Sequence, residues 1–222
     1  MVKNMTYEEN ESLKVKDQEN RQNKIHGLVV EKYAGIARGE TSACTSSCCD
    51  EATPLMSIKK RGKTLDYEEE DLLGAPGEAN LGLGCGNPMS MADLRPGETV
   101  LDLGSGAGFD AFLAAGRVGA SGRVIGVDMT PKMVQKARTN AEKMNAANVE
   151  FRLGEIEKLP VADNSVDMVI SNCVINLSPD KSSVFREIYR ALKPGGRIVI
   201  SDILRSGEIP DEILNDPAAY TG

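Results

Sequence analysis

Tryptophan is absent from these 222 residues, aromatic side chains make up only 4%, and histidine occurs once. Platforms for stacking nucleobases are therefore poorly provided for. Basic residues are also outnumbered, and the formal charge of −7 removes the basic face that a nucleic-acid substrate calls for. No apolar run approaches the roughly 20 residues needed to cross a bilayer, and the charged N-terminus lacks the apolar core of a secretory signal. These absences predict a cytoplasmic chain with neither membrane nor nucleic-acid partners, acting on a small neutral or cationic molecule. The single histidine, His26, lies in a polar stretch and is expected on a helix surface. Cysteines are few: Cys44, Cys48, Cys49, Cys85 and Cys173. Without an export signal, they read as reactive or metal-binding thiols rather than a disulfide framework. A zinc site at Cys44, Cys48 and Cys49 would lack a second cluster or a histidine pair to complete it.

What the chain does contain is concentrated at residues 99–110, TVLDLGSGAGFD. Val100, Leu101 and Leu103 form an apolar run carrying Asp102, and Gly104, Gly106 and Gly108 follow as a tight turn. The alanine-rich segment from Ala111 to Ala115 then predicts a helix whose N-terminus faces a ligand. Glycines there let a cofactor lie against the backbone. The dinucleotide fingerprint wants a glycine where this chain has Phe109, so the turn is the shorter GxGxG form. A second strand, Arg123 to Val127, ends in Asp128, about twenty positions after Gly108, where such folds place a ribose-binding carboxylate. One carboxylate can accept from both ribose hydroxyls. Met129 offers an apolar wall for adenine, and Thr130 and Pro131 open the next helix as N-cap and N1.

Val149 to Leu153 alternates as a third strand, Val166 to Ile170 is a fourth, and Arg197 to Ser201 a fifth after a Lys193–Gly196 turn. A helix near Ser182 to Leu192 joins the last two. Strands alternating with helices predict a doubly wound, Rossmann-like α/β sheet. Residues 1 to about 22 are charged and weakly periodic, and predict a frayed helix or disorder. Ile25, Val29, Tyr33 and Ile36 then mark one stripe of an amphipathic helix ending near Gly39. A loop with three cysteines follows, then the glycine-rich segment Asn80 to Pro88, expected to pass close to the cofactor. The expected division is 1–75, helix and cysteine-bearing loop, and 76–222, cofactor-binding core.

LGLGCGNP, LDLGSGAGFD, GVDMTPKM, GEIEKLP, SNCVINLSPDK and SDIL together resemble the arsenite methyltransferase family, within the class I S-adenosylmethionine-dependent methyltransferases. The resemblance runs over roughly residues 72–222, with the helix and loop before them. It implies S-adenosylmethionine as methyl donor, held by Asp102, Gly104, Gly106, Gly108, Asp128 and Met129, with Asn172 beside them. It implies that Glu155 accepts from the adenine amino group while the Ile156 backbone meets the ring edge. Cys85 and Cys173 fall at the family's arsenic-binding thiols. One thiol of the N-terminal cluster would match the cysteine that receives or exchanges arsenic; Cys48 and Cys49 are favoured, and spacing does not choose between them. Arsenite and methylarsenite are the implied substrates, thioredoxin or another thiol reductant the implied partner, and detoxification the implied role. Class I sheets carry two further strands, and the family a further cysteine and C-terminal arsenic-binding region, after the point where this sequence ends. The fifth strand is thus expected at a bare edge that is paired in a homodimer, poorly ordered, or masked by residues 206–222.

The chemistry suits the composition. Trivalent arsenic is soft and prefers thiolates to carboxylate or imidazole. Three thiolates leave its lone pair at the apex of a shallow pyramid, able to attack a sulfonium methyl without losing a proton, so no general base is needed. Methylation oxidises arsenic to the pentavalent state. Enzyme thiols could reduce it again by closing a disulfide, which an external dithiol reopens. Three readings compete: another small-molecule methyltransferase of the quinone or sterol sort, a non-catalytic cofactor- or arsenic-binding chain, and a scavenger using only the N-terminal thiols. Each cysteine also has a plain reading, with Cys173 as a small core residue.

Overall fold

The computed structural model describes residues 7–40, 67, 75–204, 206–208, 210, 212–213 and 216–221. Cys44, Cys48 and Cys49 lie outside the described residues. Five parallel strands run β1 (Thr99–Leu103), β2 (Arg123–Asp128), β3 (Val149–Leu153), β4 (Val166–Asn172) and β5 (Leu192–Ser201), in the spatial order β3-β2-β1-β4-β5. Helices α2 (Phe109–Val118), α3 (Pro131–Met144) and α4 (Lys181–Ala191) alternate with them, preceded by α1 (Tyr7–Arg38). The doubly wound fold read from the sequence is the fold observed.

Both faces of the sheet are covered, and its inner strands β1, β2 and β4 are accordingly nearly continuous apolar runs, while the edge strand β3 alternates. On one face Val100, Met168, Ile170 and Phe151 pack with Phe112 and Val118 of α2 and Val134 and Ala137 of α3. On the other, Leu101, Leu103, Ile125, Val127 and Val169 pack with Val184 and Ile188 of α4. The chain leaves β1 toward β2 on one side and returns to β4 on the other. Open α/β sheets bind ligands at the carboxyl ends flanking such a reversal. Here that point lies where Leu103 stands opposite Ser171.

Three local expectations change. Helix α1 begins at Tyr7, well before the apolar stripe, because residues 7–24 contain good helix formers and neither glycine nor proline. Its end is as expected: the Gly39 N–H donates to Ile36 O and the Glu40 N–H to Gly35 O, the paired bonds of a Schellman cap. Ile25 and Val29 are buried and anchor α1, each burial stabilising by about 1.5–3 kcal/mol. The helix packs on α3 and on the turn Pro217–Thr221. Second, the Lys193–Gly196 turn is absorbed into β5 as a bulge. Leu192 pairs with Val166 and Arg197 with Met168, so residues 193–196 loop out opposite Asp167. Third, Thr130 is the N-cap of α3 and Pro131 its N1, but the Thr130 side chain makes no capping bond. Its backbone N–H donates instead to Asp128 Oδ1 at 2.8 Å.

Candidate active site

A cleft of about 1180 Å³, counted out to its open mouth, lies over the carboxyl ends of β1, β2 and β4. Of the residues singled out from the sequence, Asp102, Gly104, Gly106, Asp128, Met129, Ile156, Asn172 and Cys173 line it. Gly108, Glu155 and Cys85 do not, although Cys85 adjoins Gly84, which does. Gly108 is the N-cap of α2, and a Cβ there would press on Phe112 and Phe151 in the core, so its role is packing. At Gly106 a Cβ would meet nothing within 4 Å, which leaves that backbone open to the cleft. The Glu155 side chain is 54% exposed, 3.5 Å from His26 Nδ1.

Two acids, Asp102 buried and Asp128 half-buried, set the electrostatics. Asp128 Oδ2 accepts from the Gly106 N–H at 2.9 Å, and Oδ1 from Thr130, which ties the glycine turn to the end of β2. Burial raises its pKa, while these two backbone donors pull it back. Asp102 stands deeper, and burial followed by the charges of Asp110 and Asp128 pushes its pKa well above the usual carboxylate range. Its Oδ2 and the Ser105 Oγ are buried without a hydrogen-bond partner among the described residues. Unpartnered buried oxygens are costly, so a cleft holding them fits a ligand that brings a cation and hydroxyl groups. S-Adenosylmethionine carries both, an ammonium and a ribose.

Beside the cleft, two segments distant in sequence converge. Cys85 and Cys173, 88 residues apart, have Cα atoms 5.8 Å apart and sulfurs joined as a disulfide. Cys173 follows the last residue of β4 with φ 56°, a left-handed conformation unusual outside glycine. Its N–H donates to Ser201 O at 2.8 Å. Cys85 sits between glycines because its loop crosses close to the end of β4: a Cβ on Gly84 would fall 2.7 Å from Asn172 Nδ2.

Asn172 braces that loop. Its Oδ1 accepts from the Cys85 N–H at 3.2 Å, and its Nδ2 lies 2.9 Å from both Gly86 O and Asp110 Oδ2. The buried Tyr67 hydroxyl donates to Asp110 Oδ1 at 2.7 Å, and desolvation, reinforced by Asp110, pushes that phenol far above its usual range. Sequence reasoning placed Asn172 beside the cofactor but missed this second role, and it missed Tyr67 and Asp110 altogether. Asp110 directly follows the glycine motif and could have been flagged; Tyr67 stands in a charged stretch with no signal.

His26 departs from expectation. It is 18% exposed and lines the cleft with Val29 and Tyr33, since position 26 lies one turn before Val29 on the buried stripe. Its Nε2 lies 3.3 Å from Glu157 Oε1, which also accepts from Ser178 Oγ at 2.5 Å. The Glu157 hydrogen bond raises the His26 pKa against burial; for Glu157, burial is outweighed by His26 and Ser178 and the net shift is downward. A histidine raised in the folded state stabilises fully below its unfolded pKa, about 6.5, and loses that contribution as pH rises through the folded value. The urea midpoint is therefore expected to fall in the native chain as pH rises above about 6.5, and to fall less in His26→Gln. Equal slopes would mean that the pair does not hold α1 down.

Residues 94–222 match the methyltransferase domain family. This chain belongs to that family. The arsenite methyltransferase of Halobacterium salinarum is 52% identical over 204 residues, 88% of this chain and 51% of that protein. The arsenite methyltransferase of Aquipseudomonas alcaligenes is 39% identical over 88% of this chain and 56% of its own length. The chain thus spans about half the length of the curated relatives it matches. Among solved structures, an arsenic(III) S-adenosylmethionine methyltransferase from Chlamydomonas reinhardtii superposes with a TM-score of 0.56 at 36% identity, covering 77% of this chain and 55% of that one. Among the described residues, no helix is long and apolar enough to cross a membrane.

Proposed function

We propose that this chain binds S-adenosylmethionine over the carboxyl ends of β1 and β2 and methylates trivalent arsenic held by Cys85 and Cys173. The observation that carries this reading is the meeting of the two cysteines beside the glycine-lined cleft, from segments 88 residues apart. The similarity to arsenite methyltransferases supports it. Asp128 is placed to accept from ribose hydroxyls and the buried Asp102 to receive an ammonium, while Met129 and Ile156 offer apolar walls. The cofactor supplies an electrophilic methyl on a sulfonium, the natural target of an arsenic lone pair.

Cys85 and Cys173 do two things in this scheme. As thiolates they chelate arsenic and fix the direction of its lone pair, so that positioning supplies most of the rate. As a dithiol they can give up two electrons while one S–S bond forms, returning pentavalent methylated arsenic to the trivalent state. Thioredoxin or another dithiol then restores them by exchange. Cys48 or Cys49 is proposed as the third thiolate. His26, engaged with Glu157 on α1, is not needed as a base, because the attacking arsenic carries no proton.

The test is to incubate the reduced chain with S-adenosylmethionine, arsenite and thioredoxin and to separate arsenic species by chromatography with mass detection. Methylated arsenicals above the no-enzyme control are expected. Their absence, with cofactor and arsenite both bound, would leave a chain that binds but does not turn over.

A further inference from the structure

Two thiolates satisfy only two of the three bonds of trivalent arsenic. Arsenite reaches the site as neutral As(OH)3. Reaction with two thiols gives (RS)2As–OH and two waters: two As–S bonds form, two As–O bonds break, and each thiol proton leaves with a hydroxide. Arsenic stays trivalent and keeps one hydroxyl. Beside a partly buried dithiol, that O–H needs an acceptor.

The structure supplies one. A carboxylate oxygen of Asp202 and the sulfurs of Cys85 and Cys173 all lie within 4.8 Å of one another. Asp202 follows Ser201, whose carbonyl accepts from the Cys173 N–H and lies 3.9 Å from Cys85 Sγ, so the end of β5 forms the third wall of the thiol site. The carboxylate is held in place: Oδ2 accepts from the Asn176 N–H at 3.1 Å and Oδ1 from the Ile203 N–H at 2.7 Å. These two bonds use about half of what a carboxylate can accept.

Resting on the arsenite reading above, we propose that Asp202 accepts the hydrogen bond of the hydroxyl that arsenic retains on Cys85 and Cys173, and so makes the dithiol site prefer arsenite over methylarsenite. Methylarsenite, CH3As(OH)2, loses both hydroxyls to the two thiols and presents only a methyl group as its third substituent. The carboxylate then faces carbon and loses a partner. Sites built to hydrogen-bond a hydroxyl discriminate strongly against the analogue that lacks it. Asp202 acts at the two-thiol stage, before a third thiolate replaces the hydroxyl, and is in this sense a specificity residue for the capture of arsenite over methylarsenite.

A third thiolate would displace the hydroxyl, so the experiment uses the full chain carrying Cys44→Ser, Cys48→Ser and Cys49→Ser. The chain is kept reduced by a phosphine and titrated calorimetrically with arsenite and, separately, methylarsenite. Asp202→Ala in the same background is expected to weaken arsenite binding by at least about tenfold and methylarsenite binding by less than about twofold. Retained methylarsenite binding also shows that the variant is folded with its dithiol intact. Unchanged arsenite affinity overturns the role of Asp202 while leaving the dithiol site standing. An equal loss for both compounds also overturns it, since the residue then only positions the thiols. If the serine background binds neither compound, the arsenic-site reading itself fails, and this inference with it.

Discussion

Changing Cys173 to serine is expected to abolish arsenic methylation and to lower arsenite affinity by about 10²–10⁴-fold, while leaving S-adenosylmethionine binding unchanged. The size follows from chelation. With Cα atoms 5.8 Å apart, Cys85 and Cys173 would present both sulfurs to one arsenic atom, so the second As–S bond would form at high effective concentration. Serine keeps the volume but removes the soft donor, and the remaining thiolate binds alone. Cys85→Ser is expected to match it, because neither sulfur is useful without the other. Cofactor binding, read as thermal stabilisation by added S-adenosylmethionine, separates this outcome from misfolding. A carbon, oxygen or nitrogen acceptor has no use for either thiol. Full methyl transfer to arsenite by either variant would refute the dithiol site and favour another small-molecule substrate.

The second large effect is on folding. Gly104 ends β1 with φ 63°, and a Cβ there would fall 2.6 Å from Val174 Cβ, with the Val174 methyls also in its way. Gly104→Ala therefore combines left-handed strain with overpacking against a half-buried side chain, and is expected to cost about 2–4 kcal/mol. For a chain of this size that is about 5–15 °C in melting temperature. Val174 adjoins Cys173, so displacing it also disturbs the dithiol. Adding Val174→Ala is expected to restore the packing share of the loss but not the backbone share. Should Gly104→Ala melt with the native chain, Gly104 would owe its place to the cofactor alone.

The parts of this molecule that could be read from the sequence are those written in local chemistry. Apolar runs ended by glycine or aspartate announced β1 and β2, the apolar run from Val166 to Ile170 announced β4, and the end of α1 was visible in the stripe Ile25, Val29, Tyr33 and Ile36. The first turns of α1 were not, because charged helix formers without an apolar stripe look the same in helix and coil. His26 was assigned to a surface because its neighbours are polar, yet the face it occupies is decided by Val29 one turn on. The bulge at Lys193–Gly196 looked like a turn because the pairing of Leu192 with Val166 is invisible without the sheet. Motif resemblance brought Cys85 and Cys173 into view. Of the groups around them, Tyr67, Asp110 and Asn172 are hydrogen-bonded to one another across 43 to 105 residues, and Asp202 arrives from the far end of β5; such contacts leave no period to detect.

The distance between the two cysteines along the chain has a mechanical side. Any bridge between their sulfurs, whether a disulfide or a shared arsenic atom, ties the segment ahead of β1 to the tip of β4 and closes a loop spanning 88 residues. In the chain-entropy picture such a cross-link removes about 4–5 kcal/mol of freedom from the unfolded ensemble. Each turnover would then tighten and loosen the protein as well as change its chemistry: the bridged states resist unfolding, and the open dithiol between them is the most fragile form.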